Sequence, residues 1–190
     1  RKKNDSVIPD NLIEFAENNW GVPEIVYFYE DLNLKAERRK HAGQKPLGDL
    51  NFKYPITYCN HHESHARYGY YTSPFIDCTV LVIDAIGEWN TMTQWKVKDD
   101  SFTLIKNWDY PKSLGLFYSA MTQRAGWKPN EEEYILMGAS AVVKDYNIHD
   151  YQYIKSMWDV GENFHQGIDI EGNINTFEIA AIAQDIYEEE

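Results

Sequence analysis

Three histidines lie within five residues of one another, at His61, His62 and His65. If Asn60 caps a helix and Glu63 reaches back to it as in a capping box, His61 and His65 lie one turn apart on the same face. His62 then points about 100° away from them. Two imidazoles at this spacing suit a borderline divalent metal such as iron or zinc, and the start of a helix favours their neutral form. The sequence therefore predicts a metal site at His61 and His65.

The spacing alone leaves an alternative, a polar helix start whose histidines cap, stack or face water, because two ligands make an incomplete site. The zinc-protease signature His-Glu-x-x-His is excluded by register. His61 is followed by His62, and the stretch from His62 to His65 is one residue too short. Glu63 is therefore not placed as the base of a metalloprotease.

Two acidic residues follow the most apolar run of the chain. Residues 78–84 read C-T-V-L-V-I-D, which predicts a central strand that ends in Asp84, and residues 85–88 turn the chain into the next strand. A carboxylate at such a strand end often lies near a phosphate-bound metal, but it can equally serve only to shape the turn. From its position, Glu88 is interpreted as a partner of other residues in this turn. We expect Asp84 to open into the same cleft as the histidine helix.

The remaining pattern indicates an α/β fold, because predicted strands alternate with helices and one group of three strands forms a meander. The predicted strands are 24–30, 56–59, 78–84, 89–97 and 102–108. The first predicted helix opens at Pro9 and Asp10 and is closed by Gly21. The other predicted helices are 34–41, 61–71, 113–125, 131–138, 146–160 and 176–190. The run 24–30 is typical of a buried strand, and 45–54 is a loop or a trimmed insertion.

Charge and cysteine content exclude several classes of protein. The formal net charge of −12 argues against a nucleic-acid partner, since no basic stripe offsets it. The two cysteines, Cys59 and Cys78, give no disulfide framework and suit a reducing cytoplasm. No apolar run reaches the roughly 18 residues of a membrane span. We therefore expect a cytoplasmic protein with neither a membrane nor a nucleic acid as its partner.

Four motifs follow one another along the chain: H-H-E-S-H-A at 61–66, L-V-I-D-A-I-G-E-W at 81–89, Y-P-K-S-L-G-L-F-Y-S-A-M-T-Q at 110–123 and E-E-Y-I-L-M-G at 132–138. In this order they resemble the O-carbamoyltransferases of the nodulation and antibiotic-biosynthesis type. Residues 1–9 resemble the family stretch just after its first β-hairpin, and 180–190, with Gln184, resemble a later family helix. The resemblance thus extends over most of the chain.

The resemblance implies a partial actin-like ATPase (ribonuclease H-like) domain, with a mixed sheet and flanking helices, related to the tRNA threonylcarbamoyl transferases. It implies that residues 1–190 are an internal fragment of the N-terminal transferase domain, which we expect to be inactive alone. A YrdC-like domain that makes carbamoyl adenylate from carbamoyl phosphate and ATP is expected downstream. Aromatic content is high, with Trp 6, Tyr 14 and Phe 8, so a truncated domain is expected to expose rings and to self-associate.

The resemblance also implies an activity and its site. The outer histidines of the family motif hold a divalent metal, iron-type or zinc, and they correspond to His61 and His65. A third ligand, an aspartate, is expected further along the family sequence. The implied reaction is metal-assisted transfer of a carbamoyl group from carbamoyl adenylate to a hydroxyl of a sugar or polyketide-like acceptor. Asp84 and Glu88 are the expected catalytic residues, facing the nucleotide end of the cleft.

Three departures from the family pattern keep other functions open. Ala85 and Ile135 stand where the family has a glycine and a lysine, and the family's Pro-Tyr-Gly loop is absent. One alternative is a metal-dependent hydrolase that uses His61, His65 and a distal acid. Another is a non-catalytic relative kept for binding or assembly, which the loss of the lysine favours.

Overall fold

A computed structural model describes residues 10–45 and 53–190 of the chain. The chain divides into two compact units. The first comprises Arg1–Pro74 and Gly87–Trp89, and the second comprises Phe75–Ile86 and Asn90–Glu190. The family-like start at 1–9 and most of the predicted loop, 46–52, lie outside the described residues.

In the first unit, one helix ends and the next begins at residues that favour a helix end and a helix start. Helix α1, Asp10–Trp20, is followed by Gly21, whose φ of 89° lies in the left-handed region that favours glycine. Helix α2, Leu32–His41, begins two residues earlier than predicted because the Asp31 carboxylate accepts the N–H groups of Asn33 and Leu34.

The first unit contains a βαβ arrangement. Strands β1 (Val26–Phe28) and β2 (Ile56–Tyr58) pair in parallel, with α2 in the connection between them. The prediction of a buried strand at 24–30 is wrong in extent and in burial, since β1 has three residues and Tyr27 is 69% exposed. Aromatic and β-branched residues favour a pleated strand whether or not both of its faces are covered.

Helix α3, His61–Tyr71, has the predicted bounds. The predicted cap at Asn60 is confirmed, because its side-chain oxygen accepts the N–H of Glu63 at 2.9 Å. The reciprocal half of the capping box is replaced by another contact. The Glu63 carboxylate pairs with Arg67 one turn later, at 2.6 Å.

The second unit begins with the predicted three-stranded meander. Strands β3 (Cys78–Ile83), β4 (Asn90–Lys98) and β5 (Ser101–Asp109) pair antiparallel in the order β3-β4-β5. Within the described sheet β3 is therefore an edge strand, and its prediction as a central strand is wrong there, with Leu81 58% exposed. Parallel and antiparallel pairs lie in separate sheets of the described chain, not in one mixed sheet.

Four helices and a short 3-10 helix complete the second unit. They are α4 (Leu114–Arg124), α5 (Glu133–Ser140), α6 (Ile148–Asp159), the 3-10 helix Phe164–Gln166, and α7 (Thr176–Glu189). Their apolar faces meet in one core, whose fully buried large side chains include Phe117, Met121, Leu136, Ile154, Trp158, Ile179, Ile182 and Ile186. The α/β class is confirmed, while the actin-like arrangement stays a prediction. Within residues 10–45 and 53–190, no helix has both the length and the apolarity that a bilayer crossing requires.

Candidate metal centre

The two predicted metal ligands lie side by side at the start of α3. The Nε2 atoms of His61 and His65 are 3.0 Å apart, and their ring centroids are separated by 4.7 Å. Two nitrogens that bind one ion at about 2.1 Å and at a right angle lie roughly 3.0 Å from each other. The pair therefore fits adjacent ligand positions of a single divalent ion, and imidazole nitrogens suit iron and zinc.

His62 is the histidine that does not join this pair. Its side chain is fully buried, and its ring centroid lies 5.8 Å from that of His61. The predicted divergence of His62 from its neighbours is thus the geometry observed. A fully buried imidazole contributes to packing, so the three histidines separate into two that form the candidate site and one that supports it.

Glu30 supplies a carboxylate behind the histidine pair. One oxygen, Oε1, accepts a hydrogen bond from Lys35 Nζ at 2.8 Å, and Oε2 lies 3.5 Å from His61 Nδ1. Burial raises the pKa of the Glu30 carboxyl, but the contacts with His61 and Lys35 outweigh burial and hold that pKa below its ordinary value. An ionised carboxylate thus faces the nitrogen of His61 that is turned away from His65. Such carboxylate–histidine pairs orient metal ligands.

Glu88 connects the starts of two helices. It is 2% exposed, and its Oε1 accepts the N–H of Asp31 at 2.6 Å and that of His61 at 3.0 Å. Asp31 caps α2 and His61 is the first residue of α3, so one negative charge complements the positive ends of both helix dipoles. These contacts make Glu88 a positioning residue for the candidate site, and its predicted catalytic role stays a prediction.

Asp84 lies in the second unit, directly after β3. Its Oδ1 accepts the N–H of Ala85 at 2.7 Å, and its own N–H donates to the carbonyl of Thr91 at 3.0 Å. The Ser113 hydroxyl, which caps α4, donates to the Ala85 carbonyl at 2.6 Å. Asp84 therefore shapes the turn, which agrees with one of its two interpretations. Its role as a catalytic residue stays a prediction. Ala85 lies outside the left-handed region, so this turn does not require the family's glycine.

Sequence reasoning missed Glu30 and understated Glu88. Glu30 ends the apolar run 24–30, and the one available signal was a carboxylate at the end of a predicted strand. Its partner His61 is 31 positions away, and no local pattern reports a contact over that separation. The sequence predicted that Glu88 lies in a turn, but it did not predict the contacts of its carboxylate with the starts of α2 and α3.

The sequence matches the family model described as Carbamoyltransferase N-terminus over residues 26–181. It is also similar to an uncharacterized protein of Synechocystis sp., with 39% identity over 116 residues that cover 59% of this chain and 18% of the relative. Two uncharacterized proteins of Methanocaldococcus jannaschii are 27% identical over 159 residues and 28% identical over 152 residues. These matches cover 83% and 66% of this chain, and 30% and 25% of the respective relatives. The chain thus spans less than a third of the length of these relatives.

Proposed function

The chain belongs to the carbamoyltransferase N-terminus family, and on this premise we propose that the full-length protein is an O-carbamoyltransferase with a divalent metal held by His61 and His65. The observation that carries the proposal is the 3.0 Å separation of the two Nε2 atoms, within the part of the chain that the family model matches. The two nitrogens are also within hydrogen-bond distance of each other, so the geometry supports the proposal together with the family match.

The proposed metal is iron-type or zinc. When bound, it supplies a Lewis acid that polarises the carbamoyl carbonyl or activates the acceptor hydroxyl. The chain's own part is to present two imidazoles side by side at the start of α3. The Asn60 side chain caps that helix, and the Glu88 carboxylate accepts its first N–H.

The proposed reaction uses carbamoyl adenylate, made from carbamoyl phosphate and ATP, and a small-molecule acceptor with a hydroxyl, sugar-like or polyketide-like. The acceptor oxygen forms a bond to the carbamoyl carbon and releases its proton to solvent, and the bond from that carbon to the adenylate phosphate oxygen breaks. AMP leaves with the electron pair of that bond. Asp84 remains a proposed participant in this transfer, and Glu88 acts on it through the position of α3.

The test compares single histidine variants of the full-length protein. We expect His61→Ala and His65→Ala to lose bound metal, measured by elemental analysis. Both should also lose ATP-dependent transfer of labelled carbamoyl from carbamoyl phosphate to a panel of hydroxyl acceptors. His149→Ala is the matched control, because this exposed histidine lies on α6. Metal content and transfer should be unchanged in that variant.

Three results would contradict the proposal in different ways. Unchanged metal content in both site variants would remove the metal site. Metal-dependent release of the carbamoyl group to water alone would indicate a hydrolase. Bound metal without turnover of any acceptor or of water would indicate a relative that has lost catalysis, consistent with Ile135 in place of the family lysine.

A further inference from the structure

Glu30 is a charged side chain in a place where charge is costly. It is only 4% exposed, and a buried carboxylate requires partners for both of its oxygens. The Lys35 ammonium donates to Oε1 at 2.8 Å, while Oε2 faces His61 Nδ1 at 3.5 Å. The two oxygens thus have different tasks, and the Oε2 contact bears directly on the histidine pair.

The segment that carries Glu30 is fixed on both sides. The Ser64 hydroxyl, which donates to the Asn60 carbonyl at 2.8 Å, also lies 3.3 Å from the carbonyl of Tyr29, and the N–H of Asp31 donates to Glu88 at 2.6 Å. Three consecutive residues therefore contact the start of α3 or the carboxylate that holds it. This arrangement leaves the Glu30 side chain little freedom to turn away from the histidine.

We propose that Glu30 is a positioning residue that selects the His61 tautomer with the proton on Nδ1, so that Nε2 keeps its lone pair beside His65. A neutral imidazole carries one N–H, and an ionised carboxylate can only accept. The nitrogen that faces Glu30 must therefore be the donor, and the opposite nitrogen must be the potential metal ligand. This inference rests on the metal site of the proposed function and assigns it a residue that the family match does not.

The Lys35 contact makes a substitution at Glu30 unusually informative. In Glu30→Gln the amide has one acceptor oxygen, and the neighbouring ammonium will take it. The amide NH₂ then faces His61 Nδ1, which must become an acceptor and move the proton to Nε2. Replacing Lys35 as well frees the amide oxygen for His61. We therefore expect Glu30→Gln to reverse the tautomer and Glu30→Gln/Lys35→Met to restore it.

The experiment uses the full-length protein with ¹⁵N-labelled histidine, free of metal, and reads the tautomer of His61 from its ring nitrogen shifts. Zn²⁺ affinity is measured on the same samples by competition with a chromophoric chelator. Glu30→Gln should weaken Zn²⁺ binding about 10- to 100-fold, the usual effect of losing such an outer partner. Glu63→Gln is the control, because its carboxylate pairs with Arg67 on α3, and it should leave both readings unchanged.

Two uncharged variants keep the test valid if Glu30→Gln alone does not fold. Glu30→Gln/Lys35→Met keeps an acceptor for His61, and Glu30→Leu/Lys35→Met removes it, so only the second should lose the Nδ1–H form and weaken Zn²⁺ binding. An unchanged His61 tautomer and unchanged affinity in Glu30→Leu/Lys35→Met would overturn the inference and leave Glu30 as an ion-pair partner of Lys35. If the wild-type protein bound no Zn²⁺ and the tautomer still changed, the proposed metal site would fail while the assignment of Glu30 would stand.

Discussion

Gly87 lies so close to His62 that a Cβ atom on residue 87 would be 2.9 Å from His62 Cδ2, and 3.2 Å from the Cβ of His61. Both contacts are with side chains at the start of α3, and the His62 ring is fully buried. We expect Gly87→Ala to lower the free energy of unfolding by about 1–3 kcal/mol, the usual cost of overpacking, and to weaken Zn²⁺ binding by displacing His61. Urea unfolding and chelator competition measure the two effects.

Gly69→Ala is the control for that substitution. Gly69 lies within α3, and a Cβ there would meet no heavy atom within 4 Å. The alanine should raise the free energy of unfolding by about 0.5–1 kcal/mol because glycine is a poor helix former. Equal stability of Gly87→Ala and the wild type would mean that the His62 ring moves aside without cost.

Substitutions of Glu88 separate positioning from catalysis. Glu88→Ala leaves the part-buried N–H groups of Asp31 and His61 without their acceptor, which costs about 1 kcal/mol for each group. Glu88→Gln keeps an acceptor and loses the charge, so it should cost about 0.3–1 kcal/mol. Hydrogen exchange at the His61 amide should be fastest in Glu88→Ala. A loss of carbamoyl transfer in Glu88→Gln far beyond its loss of stability would instead indicate a catalytic carboxylate.

Asp84→Asn distinguishes the two interpretations of Asp84. Asparagine retains an oxygen that can accept the N–H of Ala85, so the turn and the melting temperature should be preserved. If the carboxylate takes part in carbamoyl transfer, as proposed, the rate should fall at least about 100-fold, near the lower range for a lost catalytic group. Asp77→Asn, at an exposed position just before β3, should be fully active. Full activity of Asp84→Asn would restrict Asp84 to the turn.

Helix α1 offers an explanation for the expected self-association of the 190-residue chain. Leu12, Phe15 and Trp20 are each more than half exposed, and α1 buries none of its residues. Contiguous exposed apolar surface favours association. We expect light scattering to show concentration-dependent oligomers, and Phe15→Ser/Trp20→Ser to shift them toward monomer. A wild-type chain that stays monomeric at high concentration would contradict this expectation.

The histidine pair was predictable because everything that defines it is local. Asn60 caps the helix, and four residues of helix bring His65 above His61, so spacing alone specifies their relation. The position of β3 was not predictable in this way. The apolar run of β3 indicates that its side chains avoid water. The run carries no information on how many strands lie beside β3 in the sheet. The role of Glu30 depends on a contact across 31 residues, which no local pattern contains.

The first unit is not a continuous piece of the chain, since Gly87–Trp89 belong to it together with residues before 75. A polypeptide that ended at Pro74 would carry both histidines and lack the carboxylate that holds the first turn of α3. Transplanting this histidine pair into another protein would therefore require three separate inserts, one around Glu30, one around His61 and one around Glu88. For the same reason, a short synthetic peptide of α3 should bind Zn²⁺ far more weakly than the whole protein.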